Sequence, residues 1–156
     1  MAYSPDATDL RILSLLQGDA CLTNAELAKK LGMAPSAVLE RVKKLEQRGI
    51  IEAYVTRINP ESLELKLLAF IFIRTSEGPG TINTSKKLAK IPEVLEVHHV
   101  AGEDCYLVKM RARDSQSLVK LMREKISKLP GIISTKTTVV LETIKETNYL
   151  TIPKEL

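Results

Sequence analysis

Apolar residues recur at helical spacing three times in the first fifty positions, and cap residues bracket each recurrence. Leu10, Ile12, Leu13 and Leu16 follow Asp6, with Asp9 three residues on as its capping-box partner and Gly18 as the stop. Thr23 and Glu26 repeat the device ahead of Leu27, Ala28 and Leu31, and Gly32 closes that short helix. A third helix is entered through Pro35 and ends at Gly49, the punctuation expected of a first helical position and of the site beyond a last turn. Its N-cap position, Ala34, offers no side-chain acceptor. Val38, Val42 and Leu45 line one face of this helix, and Ser36, Glu40, Lys43, Lys44 and Gln47 fall opposite. The turn at Gly32-Met33-Ala34 joins the second and third helices into a helix-turn-helix. After Gly49 the pattern changes to β-branched and aromatic residues, IIEAYVTRI, which predicts a strand or wing ending at Asn59-Pro60. Residues 1–58 therefore predict a winged helix-turn-helix.

Residues 59–66, NPESLELK, form a polar linker, and 67–156 follow a different rhythm. A β run from Leu67 to Thr75 precedes a Gly78-Pro79-Gly80 turn and a helix from about Ile82 to Ile91. Strands at Val94–Val100 and Tyr106–Ala112 are joined by Ala101-Gly102-Glu103-Asp104. Asp114 or Ser115 opens a helix with Leu118, Leu121, Met122, Ile126 and Leu129 on its buried side. Pro130-Gly131 stops it, and a long strand covers Ile132 to Ile144. The order βαββαβ predicts a ferredoxin-like α+β domain, an antiparallel sheet with helices over one face. Phe70, Phe72, Val108 and Val139 are expected on the uncovered face, where a second copy of the chain would pack.

Charge sharpens this picture. The formal net charge is +4, and six of the 23 basic residues but only two of the 19 acidic ones lie between Lys29 and Arg48. That window alone carries the whole excess, which points to a polyanion as partner for the helix-turn-helix. Aromatics are scarce and Trp is absent, so stacking on single-stranded bases has few candidates. Cys21 and Cys105 are far apart with no Cys-x-x-Cys, which argues against zinc or a disulfide framework and suits a cytoplasmic protein. No cofactor is implied. The longest apolar run, Leu67 to Ile73, is too short to cross a bilayer, and the N-terminus has no signal-peptide character, so no membrane association is expected.

Several stretches, taken in order, resemble the leucine-responsive regulator/AsnC (Lrp/AsnC, feast/famine) family of transcription regulators. They are Asp9-Leu10-Arg11-Ile12-Leu13, the run Val38 to Glu46 with Gly49-Ile50-Ile51, Leu129-Pro130-Gly131, and Thr137 to Leu141. The resemblance spans nearly the whole chain. It implies an N-terminal DNA-binding domain, and a C-terminal domain that dimerises and binds an amino acid. It also implies dimers assembling into octamers or larger rings. The family's effector pocket lies between dimers, near the loop matching Gly102, Glu103, Asp104 and Cys105 and the strand matching Thr135, Thr137, Thr138 and Val139. Many members carry aspartate where Cys105 stands here; an acid sits one position earlier, at Asp104, which fits a different amino acid or none.

In a helix-turn-helix the second helix enters the major groove with its N-terminal residues at base edges. Ser36, Ala37 and Glu40 are accordingly candidates for base contact, and Arg41, Lys43 and Lys44 for phosphates or, for one of them, a guanine edge. Thr23, at the start of the preceding helix, completes the candidate DNA-binding set. Arg41 has an alternative as structural partner of Glu46 or Asp9, and Cys21 is expected as a small buried filler. His98 and His99 sit on one strand and point to opposite faces, so they cannot share a metal. A dimer with two such helices would seek a pseudo-palindromic promoter site. Two other functions fit the same domain order: a siroheme-decarboxylase-like enzyme using His98 or His99, and a ligand-independent protein that organises DNA.

Overall fold

Both predicted capping boxes form. In the computed structural model, which describes residues 3–76, 83–102 and 105–153, the Asp6 carboxylate accepts from the Asp9 N–H at 2.9 Å and Asp9 answers with its own carboxylate at the Asp6 N–H. These bonds start α1 (Ala7–Gly18). Thr23 and Glu26 start α2 (Asn24–Leu31) in the same way, and Gly32, at φ 67°, ends it in the left-handed conformation that glycine tolerates best. Pro35 is the first residue of α3 (Pro35–Gln47), whose N-cap, Ala34, makes no side-chain bond, as its residue type requires. Ile12, Leu16, Leu27, Ala28, Val38, Val42 and Leu45 form one buried cluster, and Ile50 and Ile51 close its edge. Residues through Arg57, with the tail from Glu146, make up one compact unit; Ile58–Lys145 make up the other.

Two expectations change in the first unit. Residues 50–58 form no ladder among the described residues, and Tyr54, Val55 and Ile58 are exposed. Their β propensity has no neighbouring strand to satisfy it. The tail, expected within the 67–156 domain, instead groups with the helices: the Gln17 amide donates to Leu150 O at 2.9 Å and accepts from Leu150 N–H at 2.8 Å.

The second unit opens with a 3₁₀ turn, Pro60–Leu63, capped by Asn59. It continues with β1 (Leu67–Thr75), α4 (Asn83–Leu88), β2 (Val94–His99), β3 (Tyr106–Ala112), α5 (Ser115–Leu121, extended by a π turn over Met122–Ile126) and β4 (Ile132–Val139). The turn expected at Gly78-Pro79-Gly80 lies outside the described residues. Strand order is β2-β3-β1-β4 with every pair antiparallel, the ferredoxin-like arrangement. β4 ends earlier than its sequence suggested because its partner does: Val139 pairs with Ala69 and Val140 N–H reaches Leu68 O, near the start of β1.

Register decides the faces. Ile71 pairs with Val108 and Ala69 with both Met110 and Val139. Directly opposed residues share a face, so Val108 (0% exposed) lies in the core with Ile71, Ile73 and Met110, and Val139 is on that same side. Neither belongs to the uncovered face where it was expected. That face carries Leu68, Phe70, Phe72 and Leu107, framed by Lys109 opposite Phe70 and by Lys136, whose ammonium lies 5.8 Å from the Phe72 ring centre. No helix among the described residues is long and apolar enough to cross a membrane.

Candidate functional site

The helix-turn-helix presents its basic residues in two distinct settings. Val38, Val42 and Leu45 tie α3 to the core, so the opposite side, with Ser36, Glu40, Lys43 and Gln47, is exposed. Ser36, Glu40 and Lys43 make no hydrogen bond or ion pair within the described residues and are free to meet an external partner. Ala37, beside them, is half-buried.

Arg41 is in the other setting. Its Nη1 donates to Asp6 Oδ2 and Asp9 Oδ1, both at 2.7 Å, and Asp9 is 1% exposed. Of its two sequence readings the structural pair is the one formed: Arg41 fastens α3 to the N-terminus of α1. The Asp6 carboxyl is held below its usual range by the Asp9 N–H first and by Arg41 second. Tyr3 completes the cluster, its hydroxyl donating to Asp9 Oδ2. The Tyr3 ring lies under two cations of α3, Lys44 with its ammonium 4.2 Å from the ring centre and Arg48 at 5.9 Å. Lys44 is thus exposed but oriented, and Lys43 is unconstrained. Thr23 is committed to the α2 cap, accepting from the Glu26 N–H and donating to its carboxylate at 2.7 Å. Cys21 is exposed rather than buried, its N–H donating to Asp19 Oδ1 in the turn after α1.

Two phenols in this unit have raised pKa values. Tyr3 is pushed up to about 12, chiefly because its hydroxyl donates to Asp9. Tyr54 is pushed up to about 12 by burial and then by its bond to Glu46 at 3.0 Å. A raised pKa favours the protonated form of the fold, so this stabilisation is complete below pH 10, the unperturbed value, and is lost as pH rises through about 12. In an alkaline titration followed by phenolate absorbance, two of the four tyrosines should ionise only near pH 12, and Tyr3→Phe should remove one of those late steps. A Tyr3→Phe profile that superimposes on the parent in its late region would contradict the Tyr3–Asp9 bond.

The second unit brings the two predicted effector segments to one end of the sheet. Cys105 N–H donates to Ile73 O at 2.9 Å on one side of β1, and Thr135 pairs with Ile73 on the other. Two strand spacings, roughly 10 Å, separate them. Gly102 has φ 136°, a conformation L side chains rarely adopt, and a Cβ there would meet nothing within 4 Å. Glu103 and Asp104 lie outside the described residues. Thr135, Thr137 and Val139 share the helix-side face of β4, whereas Thr138 opposes Phe70 on the uncovered face, so the four are not one surface. Thr137 lines an open cleft of about 420 Å³ with Leu118, Val119, Met122, Arg123 and Ser127. Sequence reasoning missed the Thr75 hydroxyl at this end of β1, which is buried and has no hydrogen-bond partner. His98 pairs with Glu96 at 3.1 Å and His99 stacks 5.3 Å from Tyr106, on opposite faces as expected. Among the described residues no group of three or more acidic, His or Cys side chains is placed to hold a metal.

A helix-turn-helix with an exposed polar groove-facing helix, carried by a chain with a separate ferredoxin-like unit, defines a DNA-binding regulator with a second, sensory domain. The description of a winged helix-turn-helix DNA-binding domain matches residues 5–52, and that of an Lrp/AsnC ligand-binding domain matches residues 68–150. The leucine-responsive regulatory protein of Klebsiella pneumoniae is 38% identical over 149 residues, covering 94% of this chain and 91% of the relative. A transcriptional regulator of Neisseria meningitidis solved with L-methionine is 32% identical, with a TM-score of 0.87 over 95% of this chain and 97% of its own. The AsnC structure from Escherichia coli gives 0.86 at 30% identity, over 94% and 99% of the two chains. The chain belongs to the Lrp/AsnC family of DNA-binding transcription regulators. It is a regulator, not the decarboxylase-like enzyme that the same domain order also allowed.

Proposed function

We propose that this regulator acts in the cytoplasm as a homodimer, assembled further to an octamer, that binds pseudo-palindromic promoter sites and responds to an amino acid held between dimers. The observation that carries the DNA half is α3 itself: Ser36, Glu40 and Lys43 point outward with no internal partner while the opposite face is fully used by the core. Two copies would set two such helices into successive major grooves, about 34 Å apart. Dimerisation is supported by the uncovered sheet face, where Leu68, Phe70, Phe72 and Leu107 form an apolar strip that α4 and α5 do not cover.

Support for the effector half comes from the exposed end of the sheet. Gly102 and Cys105 on one side of β1 and Thr135 and Thr137 on the other leave an open site that a second chain would complete. The partnerless Thr75 hydroxyl adds a buried polar group there whose unmet bond costs about 1–3 kcal/mol. L-Methionine, seen bound to the Neisseria regulator, is the first ligand to test. At about 100 times its dissociation constant a ligand of the folded state stabilises by roughly 2.7 kcal/mol. A thermal-shift screen of the twenty amino acids on the full chain should therefore show an increase of about 5–10 °C with L-methionine or another apolar amino acid. No shift with any of the twenty, combined with long non-specific footprints on DNA, would replace this reading with a ligand-independent organiser of DNA.

A further inference from the structure

We infer that Leu39 is a specificity-determining residue of this regulator, reading the C5-methyl group of a thymine in each half-site. Leu39 is 38% exposed, and among the described residues of α3 it is the one large apolar side chain outside the core. The core does not require it, because Val38, Val42 and Leu45 already hold that face. Leu39 stands three residues after Ser36 and four before Lys43, so it belongs to the same stripe as these two. Ser36 and Lys43 have no internal partner, and Leu39 is an apolar group set within a patch otherwise built for polar contact.

The chemistry of the major groove narrows what such a group can meet. Guanine, cytosine and adenine present only donors and acceptors there; thymine alone adds a methyl group. Leu39 is the fifth of the thirteen residues of α3, in the N-terminal half that a helix-turn-helix turns toward base edges. Ser36 and Ala37, one turn earlier, are small and let the helix settle deeply enough for a branched side chain to touch the base plane. Ser36, Glu40 and Lys43 then supply the polar contacts around that methyl group.

The inference rests on α3 being the groove-facing helix, and deoxyuridine substitution separates the two claims. Deoxyuridine pairs as thymidine does and lacks only the methyl group. The probe is a duplex selected from a random-sequence pool by the full chain, resynthesised with each thymidine replaced singly by deoxyuridine. The parent is expected to lose about fourfold at one symmetry-related thymidine of each half-site, the factor that one buried apolar carbon is worth. Leu39→Ala should bind the thymidine and deoxyuridine forms equally, and Leu39→Met should keep the preference; both should keep the parent's melting temperature and salt dependence. Neutral replacement of every thymidine, selected half-sites without thymine, or an unchanged thymidine preference in Leu39→Ala would each overturn it. So would a change in the oligomeric state of Leu39→Ala with no change in that preference, which would mean that another protein surface covers Leu39. Failure of the groove-facing reading gives a different result, normal DNA binding after charge reversal at Lys43 and Lys44.

Discussion

Lys43→Glu/Lys44→Glu, made in the full chain, binds a selected duplex roughly 100-fold more weakly than the parent at about 0.1 M salt and melts at the same temperature. Both side chains are exposed and neither takes part in an ion pair within the described residues, so the fold does not depend on them. Their work is at the phosphate backbone, where each neutralised phosphate releases counterions and steepens the dependence of affinity on salt by about 0.9 per contact on a logarithmic scale. Reversal replaces attraction by repulsion at two places per protomer, and a dimer doubles the effect. The two lysines differ in one respect. Lys44 is held over the Tyr3 ring and keeps its direction, whereas Lys43 is unrestrained. Lys43→Ala should therefore lower the salt slope by about one contact per protomer with little change in sequence preference. Equal affinity of the double variant and the parent for the selected duplex would remove α3 from the interface.

Asp9→Ala costs about 2–4 kcal/mol of unfolding free energy, the largest loss expected from a single polar substitution in the helical unit. One carboxylate serves three groups: the Asp6 N–H in the capping box, the Tyr3 hydroxyl, and Arg41 Nη1 at 2.7 Å. Removing one partner of a buried pair costs about 3–5 kcal/mol when both charges are buried. Arg41 is about one-third exposed, with a side-chain exposure of 32%, and Asp6 still faces it, so solvent and that second carboxylate reduce the figure. Denaturant unfolding of the full chain measures the loss, and Arg41→Met offers a second view of it from the basic side. DNA affinity should fall with Asp9→Ala because Tyr3 loses the acceptor that fixes its ring beneath Lys44 and Arg48. An Asp9→Ala chain as stable as the parent would mean that the cluster contributes nothing beyond its cap.

That cluster also marks where reading along the chain stops. A charge count between Lys29 and Arg48 includes Arg41 as a free cation, and neither of its carboxylate partners is inside the window. Asp9 and Asp6 are 32 and 35 residues away in sequence and come into range only when α1 packs on α3. The basic surface of α3 is smaller than its composition implies, and Lys43 is its unconstrained part. The effector strand has the same difficulty in another form. Thr135, Thr137, Thr138 and Val139 are neighbours in sequence, but a strand sends alternate residues to opposite faces, and only pairing with β1 says which is which.

By itself the sequence determined what lies within one element. Asp6 and Asp9, Thr23 and Glu26, Pro35 and Gly32 set helix starts and stops through bonds and backbone preferences that span three or four residues, and these appear where the spacing put them. The order of strands and helices, and from it the ferredoxin-like domain, was equally legible. Only the tertiary structure decided which face of the sheet is covered, since β1 is apolar from Leu67 to Ile73 on both sides and alternation cannot choose between them. It likewise decided that the tail joins the helices through Gln17 and Leu150, 133 residues apart, and that residues 50–58 have no strand to pair with. The physical reason is common to all of these: local bonds are encoded where they form, whereas register and pairing depend on distant segments competing for the same partner.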